Sequence, residues 1–145
     1  RGCRHQGGSL ETMRVAIDTN VLVSGVFFGG PPLKVLEAWR DDRYHLVVSL
    51  DVFEEYRREG ERLEARFPGV SLAPFLELIA AHAEIIDAPQ LSEPVCDDPD
   101  DDAFFACALA GDCGLIISGD KGLLAASGSL GVRVLTPRKF LESIP

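Results

Sequence analysis

Hydrophobic positions along the chain alternate between the two-residue period of strands and the three-to-four-residue period of helices. Short runs rich in β-branched residues predict strands at 14–18, 44–50, 114–118 and 132–135. Helical periodicity follows within segments 19–30, 31–43, 52–67, 71–86, 96–111, 119–127 and 136–144. Strands that alternate with helices build parallel sheets with right-handed crossovers. The pattern therefore predicts an α/β fold, a three-layer α/β/α sandwich on a central parallel sheet.

Two predicted helices carry long apolar faces. Leu33, Leu36 and Trp39 share one face of the second helix. The fourth helix, with Ser71 as its expected cap, directs a larger set inward, namely Phe75, Leu76, Ile79, Ala83 and Ile86. Both faces fit core packing, and both could also receive another chain. Residues 1–12 show no periodicity, so we expect a flexible leader, not necessarily native, before a single domain at 13–145.

Acidic residues recur where the predicted strands end. Asp18 closes the first strand, Asp120 follows the third by two positions, and Glu54 and Glu55 lie about one turn into the helix after the second. Five aspartates crowd residues 97–102 before an apolar helix. Functional groups gather at the carboxyl ends of parallel strands, and clustered carboxylates repel unless a cation lies between them. The spacing therefore predicts a site for Mg²⁺ or Mn²⁺, which prefer oxygen ligands.

Neither helix capping nor a calcium-binding loop accounts well for the aspartate cluster. Capping explains one or two aspartates, but not five together with Asp18 and Asp120. An EF-hand loop beginning at Asp98 needs glycine sixth and glutamate twelfth, where the chain has Ala103 and Leu109. A metal site without the EF-hand geometry remains the favoured interpretation.

Composition limits the classes of protein that fit. The chain has 145 residues with a net charge of -9, which argues against a broad basic surface for nucleic acid. Two divalent ions would change that charge to about -5. Four cysteines and three histidines show no zinc or disulfide spacing, so buried reduced thiols are expected. With no signal peptide and no apolar run near about 18 residues, we expect a cytoplasmic protein that contacts no membrane.

Three segments carry a family resemblance: RVAIDTNVLVSGVFF, SLDVFEEY and DPDDDAFFACALAGDCGLIISGDKGLL. A strand-ending aspartate with asparagine two residues later, a helical glutamate, an acidic helix start and SGD after a late strand occur in the same order in the PIN-domain family. Over residues 13–142 the chain resembles its branch described as toxins of toxin–antitoxin pairs. The resemblance implies a PIN-like α/β sandwich that cleaves RNA with one or two Mg²⁺ or Mn²⁺ ions.

The resemblance also implies roles for individual residues. Its catalytic set comprises Asp18, Glu55, Asp101, Asp102 and Asp120. The metal ligands within that set are Asp18, Glu55, Asp102 and Asp120, while Glu54 competes with Glu55 and Asp101 competes with Asp102.

Supporting residues follow partly from the same resemblance and partly from charge. Outside the ligands, carboxylates are expected to be oriented or braced by Asn20, Ser118 and Asp98. Charge alone suggests contacts to the RNA backbone from Arg57, Arg58, Lys121 and Arg138. Gly122 departs from the family pattern, because many relatives have another acid there.

The combined expectation is a metal-dependent endoribonuclease, the toxin of a type II toxin–antitoxin system. Its expected partners are RNA, an antitoxin protein and a second copy of the chain, and the two apolar helix faces are candidates for the protein contacts. One alternative is a catalytically silent PIN-fold module that binds RNA or protein. Another is a small-molecule phosphatase on a related α/β fold, although Asn20 stands where a phosphoaspartyl phosphatase has its second aspartate.

Overall fold

A computed structural model of the protein describes residues 13–144. It contains a five-stranded parallel sheet with the order β3-β2-β1-β4-β5. The strands are β1 (Arg14–Ile17), β2 (His45–Ser49), β3 (Glu84–Ile86), β4 (Leu115–Ile117) and β5 (Arg133–Leu135). The α-helices in this part of the chain are α1 (Thr19–Phe27), α2 (Gly30–Arg40), α3 (Leu50–Arg66), α4 (Ala73–His82), α5 (Asp102–Ala110), α6 (Lys121–Ala125) and α7 (Pro137–Ser143). The predicted α/β sandwich is confirmed, whereas the predicted leader at 1–12 lies outside the described residues.

The two central strands determine where polar residues emerge from the core. Residues 15–17 of β1 and 115–117 of β4 are all buried, as expected for parallel strands covered on both faces. Ile17 pairs with Ile117, so Asp18 and Ser118 follow at the same edge of the sheet. The strand order reverses between β1 and β4, and such a switch point opens a crevice at the carboxyl ends of the strands.

The end of the fourth predicted helix is a strand instead. Helix α4 ends at His82, and Ala83 adopts extended backbone angles. Ile85 and Ile86 then pair in parallel with Val48 and Ser49 of β2. The helical prediction over 71–86 was wrong here because a β-branched pair can satisfy an unpaired strand edge, a contact that local periodicity does not reveal.

The start of α4 differs from the prediction in a smaller way. The helix begins at Ala73, and the Ser71 hydroxyl accepts a hydrogen bond from the Ala73 amide at 3.2 Å. The Glu64 carboxylate, from the end of α3, accepts the Leu72 amide at 2.7 Å. Ser71 was expected to cap this helix alone, but Ser71 and Glu64 each accept one of the amides at its start.

The core is built on aromatic and small side chains. Among the largest fully buried residues are Tyr56, Phe104, Phe105 and Phe140. Cys96, Cys107 and Cys113 are buried free thiols, as predicted, whereas Cys3 lies outside the described residues. Between residues 13 and 144 no single helix is long and apolar enough to cross a membrane, and α1 and α2 reach that length only together, across a 98° bend.

Candidate active site

Asp18 lies at the centre of the acidic edge. Its side chain caps α1 by accepting the Asn20 amide at 3.4 Å, and the Ser118 hydroxyl donates to Asp18 Oδ2 at 2.7 Å. The residue is only 4% exposed. Burial raises the pKa of the Asp18 carboxyl, and the charge of Asp120 raises it further, while the hydrogen bonds lower it. Asp18 is thus a buried acid whose ionised form needs compensation.

Ser118 connects Asp18 to the next acid. Its oxygen accepts the Asp120 amide at 2.9 Å while its proton goes to Asp18. Asp120 in turn caps α6, because its Oδ2 accepts the Leu123 amide at 3.0 Å. The serine therefore fixes both the orientation of Asp18 and the backbone that carries Asp120.

Asp101 faces Asp120 from the start of α5. Partial burial, the charges of Asp120 and other nearby aspartates, and a hydrogen bond shared with Asp120 raise the pKa of Asp101 to about 7. A Cβ atom added at Gly122 would lie 3.1 Å from Oδ2 of both Asp101 and Asp120. Glycine at 122 therefore leaves open the space beside these two carboxylates.

Asp102, which the resemblance implies as a metal ligand, is engaged elsewhere. Its Oδ1 accepts the backbone amides of Val95 at 3.1 Å and Cys96 at 2.8 Å, which ties the preceding loop to α5. Consecutive helical residues point about 100° apart, so Asp101 and Asp102 cannot both face Asp120. The geometry favours Asp101 at the acidic edge and gives Asp102 the role of holding the loop.

The two neighbouring glutamates of α3 also separate. Glu54 is paired with Arg57, and this partner lowers the pKa of Glu54. Glu55 is half-buried, and its pKa is raised by burial and by the charges of Asp18 and Asp100, with some opposition from the Thr19 hydroxyl. Glu55 therefore faces the acidic edge, and Glu54 faces solvent.

Thr19 is a site residue that the sequence pattern did not reveal. It is 3% exposed, and its Oγ1 makes no hydrogen bond of good geometry within residues 13–144. The hydroxyl nevertheless lies near enough to the Glu55 carboxylate to lower its pKa. The only sequence signal is its position directly after Asp18, in the segment DTN. Thr19 therefore places a buried hydroxyl beside the Glu55 carboxylate at the acidic edge.

The remaining predicted residues lie around this centre. Asn20 contributes its backbone amide, and its side chain is exposed. Asp98 accepts the Asp100 amide at 2.9 Å and begins the 3-10 turn Pro99–Asp101. Arg57 is held by Glu54 and Glu61. Exposed cationic side chains of the same prediction are Arg58, Lys121 and Arg138.

The donor set can be compared with what a cation requires. In the described part of the chain no three His, Cys, Asp or Glu side chains stand close enough together to form a ready metal site. The acids that converge, Asp18, Glu55, Asp101 and Asp120, offer only oxygen donors, and mutual repulsion contributes to the raised pKa of the first three. Hard divalent cations prefer oxygen donors and reverse the sign of that repulsion. The donor chemistry of these residues therefore fits Mg²⁺ or Mn²⁺.

A sequence profile described as a PIN domain matches residues 14–122, three quarters of the chain. The chain belongs to the PIN-domain family. PIN domains are generally nucleases and typically use divalent metal ions. No curated protein matches the sequence significantly.

Solved structures agree with this PIN-domain fold. VapBC2 from Rickettsia felis, crystallised with a DNA fragment from its promoter, matches with a TM-score of 0.54 and 12% identity, covering 86% of this chain and 98% of that one. PAE2754 from Pyrobaculum aerophilum matches with a TM-score of 0.54 and 14% identity, covering 96% and 93%. At these identities the likeness concerns the fold.

A groove of about 1190 Å³ lies between α2 and α4 of this PIN domain, and of the predicted α4 face only Phe75 and Ala83 line it. Leu33, Leu36 and Trp39 of α2 line one side, and α4 contributes Phe75 and Leu78. Trp39 and Phe75 are in edge contact at 5.8 Å. Of the three α2 residues only Leu36 is buried, so the predicted face lies largely along the groove instead of in the core.

Proposed function

We propose that this PIN domain is a metal-dependent endoribonuclease that hydrolyses RNA phosphodiester bonds. The observation that carries the proposal is the convergence of Asp18, Glu55, Asp101 and Asp120 at one sheet edge, where repulsion and burial raise the pKa values of Asp18, Glu55 and Asp101. A fold needs a reason to keep such a cluster, and a divalent cation supplies one. Membership of a family of nucleases supports the same conclusion.

Each residue has a distinct part in the proposed reaction. Asp18, Glu55, Asp101 and Asp120 would hold Mg²⁺ or Mn²⁺, which when bound lowers the pKa of water and neutralises charge on the phosphate. Ser118 keeps the Asp18 carboxylate in one orientation through its 2.7 Å hydrogen bond. Asp102 anchors the loop before α5, so that the turn carrying Asp101 stays beside Asp120.

The test is cleavage of labelled single-stranded and hairpin RNAs with Mg²⁺, Mn²⁺ or EDTA. Wild type is compared with Asp18→Asn and Asp120→Asn, since asparagine can still cap a helix but carries no charge. We expect metal-dependent cutting by wild type and loss of cutting in both folded variants. Metal-loaded wild type that cuts no RNA would contradict the proposal, and release of phosphate from a small monoester alone would favour a phosphatase.

Adjacent glutamates provide a matched pair of variants. Glu55→Gln should reduce the cleavage rate by about 100-fold, because it removes one carboxylate from the acidic edge. Glu54→Gln should leave the rate within about twofold, because it breaks only an exposed ion pair with Arg57. Single-turnover rates at saturating Mg²⁺ measure both effects. Equal losses in the two variants would show that Glu55 has no special role.

The proposed biological role is that of a cytoplasmic toxin controlled by an antitoxin protein. It rests on the sequence resemblance and on the structural likeness to VapBC2. The α2–α4 groove suits an amphipathic helix from such a partner, because apolar walls from two helices are how helix-in-groove binding works. A second copy of the chain is the other proposed occupant. Trp39→Ala should weaken binding of the antitoxin protein in a pull-down with purified proteins. Light scattering of the protein alone measures whether it forms a dimer.

A further inference from the structure

Three phenylalanines form a cluster at the far ends of α1 and α3. The ring of Phe28 packs edge-on against that of Phe67, with 5.3 Å between the ring centres, and the ring centre of Phe27 lies 6.4 Å from that of Phe67. Phe28 is 63% exposed, which is unusual for so large an apolar side chain. The Arg66 guanidinium lies 5.7 Å from the centre of the Phe67 ring. The exposed Phe28 ring lies beside the Phe67 ring, which the Arg66 guanidinium covers. Exposed aromatic rings with a cation nearby form a surface on which a base can stack.

One edge of α3 connects this aromatic cluster to the acidic site. At about 100° per residue, Glu55, Arg58, Arg62 and Arg66 fall within about 80° of each other around the helix. Successive arginines rise by about 6 Å, and Glu55 and Arg66 are separated by about 17 Å along the axis. Helix α1 packs beside α3, and its less buried positions, which include Asn20, Ser24 and Phe27, lead to the same phenylalanines. We call this surface the α1–α3 track.

The charges on α3 identify which arginines are available to a ligand. Arg57 points about 160° away from Glu55 around the helix and is held by two carboxylates. Arg62 is paired with Glu59. Within residues 13–144, neither Arg58 nor Arg66 has a carboxylate at ion-pair distance. In a chain of net charge -9, these two cations are the part of the track that a polyanion can use.

We propose that single-stranded RNA lies along the α1–α3 track, with Arg58 and Arg66 on its phosphates and a base stacked on Phe28. This inference rests on the proposed nuclease function and extends it to the path of the substrate. A single strand is favoured because paired bases do not expose faces to an aromatic side chain. The track leads the strand from the phenylalanines to the carboxylates, so cleavage falls a few nucleotides from the stacked base.

The test is fluorescence anisotropy with labelled single-stranded RNAs of three to twelve nucleotides, in EDTA so that no cutting occurs. We expect Phe28→Ala to weaken binding by about tenfold without changing the salt dependence. Arg58→Ala and Arg66→Ala should each reduce the log–log salt slope by about 0.7, the value for one phosphate contact on a single strand. Matched controls are Arg57→Ala on the same helix and Leu130→Ala, an exposed apolar residue elsewhere. Binding should strengthen with length until the strand spans the track.

The outcomes separate this inference from the nuclease proposal. If wild type cuts RNA but the three variants bind and cut as wild type does, the track is wrong and the nuclease stands. If wild type cuts no RNA yet binds single strands through Phe28 and Arg66, the proposed track is supported and the nuclease proposal is wrong. Equal loss of binding in Arg57→Ala would show that RNA responds only to the overall charge of α3, which would overturn the proposed track. Dissociation of a dimer by Phe28→Ala, with unchanged RNA binding, would assign the phenylalanines to a protein contact and overturn the proposal.

Discussion

Replacing Asp101 with asparagine should lower the rate of metal-dependent RNA cleavage by about 100-fold or more, whereas Asp102→Asn should stay within about threefold of wild type. Burial and the charge of Asp120 raise the pKa of Asp101, so the two carboxylates face each other at the acidic edge. Asp102 needs only an oxygen for the amides of Val95 and Cys96, and asparagine keeps one. For cleavage, Asp101 therefore matters through its charge, whereas Asp102 matters through the position of its hydrogen-bonding oxygen.

Single-turnover rates across a range of Mg²⁺ concentrations measure this contrast. Asp102→Ala serves as a structural control, since loss of both amide contacts should lower the free energy of unfolding by about 2 kcal/mol. Circular dichroism shows which variants remain folded at the assay temperature. If Asp102→Asn loses activity as fully as Asp101→Asn while it stays folded, Asp102 is a ligand and the assignment made from the hydrogen bonds is wrong.

The sheet was largely predictable because its central strands are covered on both faces. A strand such as residues 115–117 must be apolar at every position, and no exposed element has that signature. Strand β3 was not predicted because it is short, lies at the edge of the sheet and follows a helix without a break in the apolar pattern. Only its pairing with β2 distinguishes it from another helical turn.

The convergence of the acidic segments at one sheet edge was predictable, but the orientation of single side chains was not. Strand ends and a helix start locate Asp18, Asp120 and the aspartate cluster, because chain direction alone brings them to one edge. Which of two adjacent acids turns inward depends on partners elsewhere in the fold, such as the loop amides that bind Asp102. Thr19 could not be found this way, since its significance lies in its proximity to the Glu55 carboxylate, which only the fold brings about.

The same repulsion predicts that the metal-free protein becomes less stable as the pH rises from about 5 to about 8. The folded pKa of Asp101, about 7, lies above its unfolded value of about 3.9, so the folded state binds more protons between them. Stability from this group is therefore fully present below the unfolded pKa and lost as the pH passes the folded pKa. The raised pKa values of Asp18 and Glu55 act in the same direction.

Thermal unfolding in EDTA at several pH values measures this effect. Asp101 is partly exposed, so solvent screening limits its share to about 1 to 2 kcal/mol, or about 3 to 6 °C in Tm. Asp101→Asn should flatten the decline and make the metal-free protein more stable than wild type at pH 8, while Glu142→Gln, an exposed acid on α7, should not. Added Mg²⁺ should raise the Tm of wild type far more than that of Asp101→Asn, since a cation can relieve only a repulsion that exists. A wild-type Tm that rises from pH 5 to pH 8 in EDTA, or an Asp101→Asn protein that loses stability at pH 8, would contradict the view that these carboxylates are held together at a cost that a cation removes.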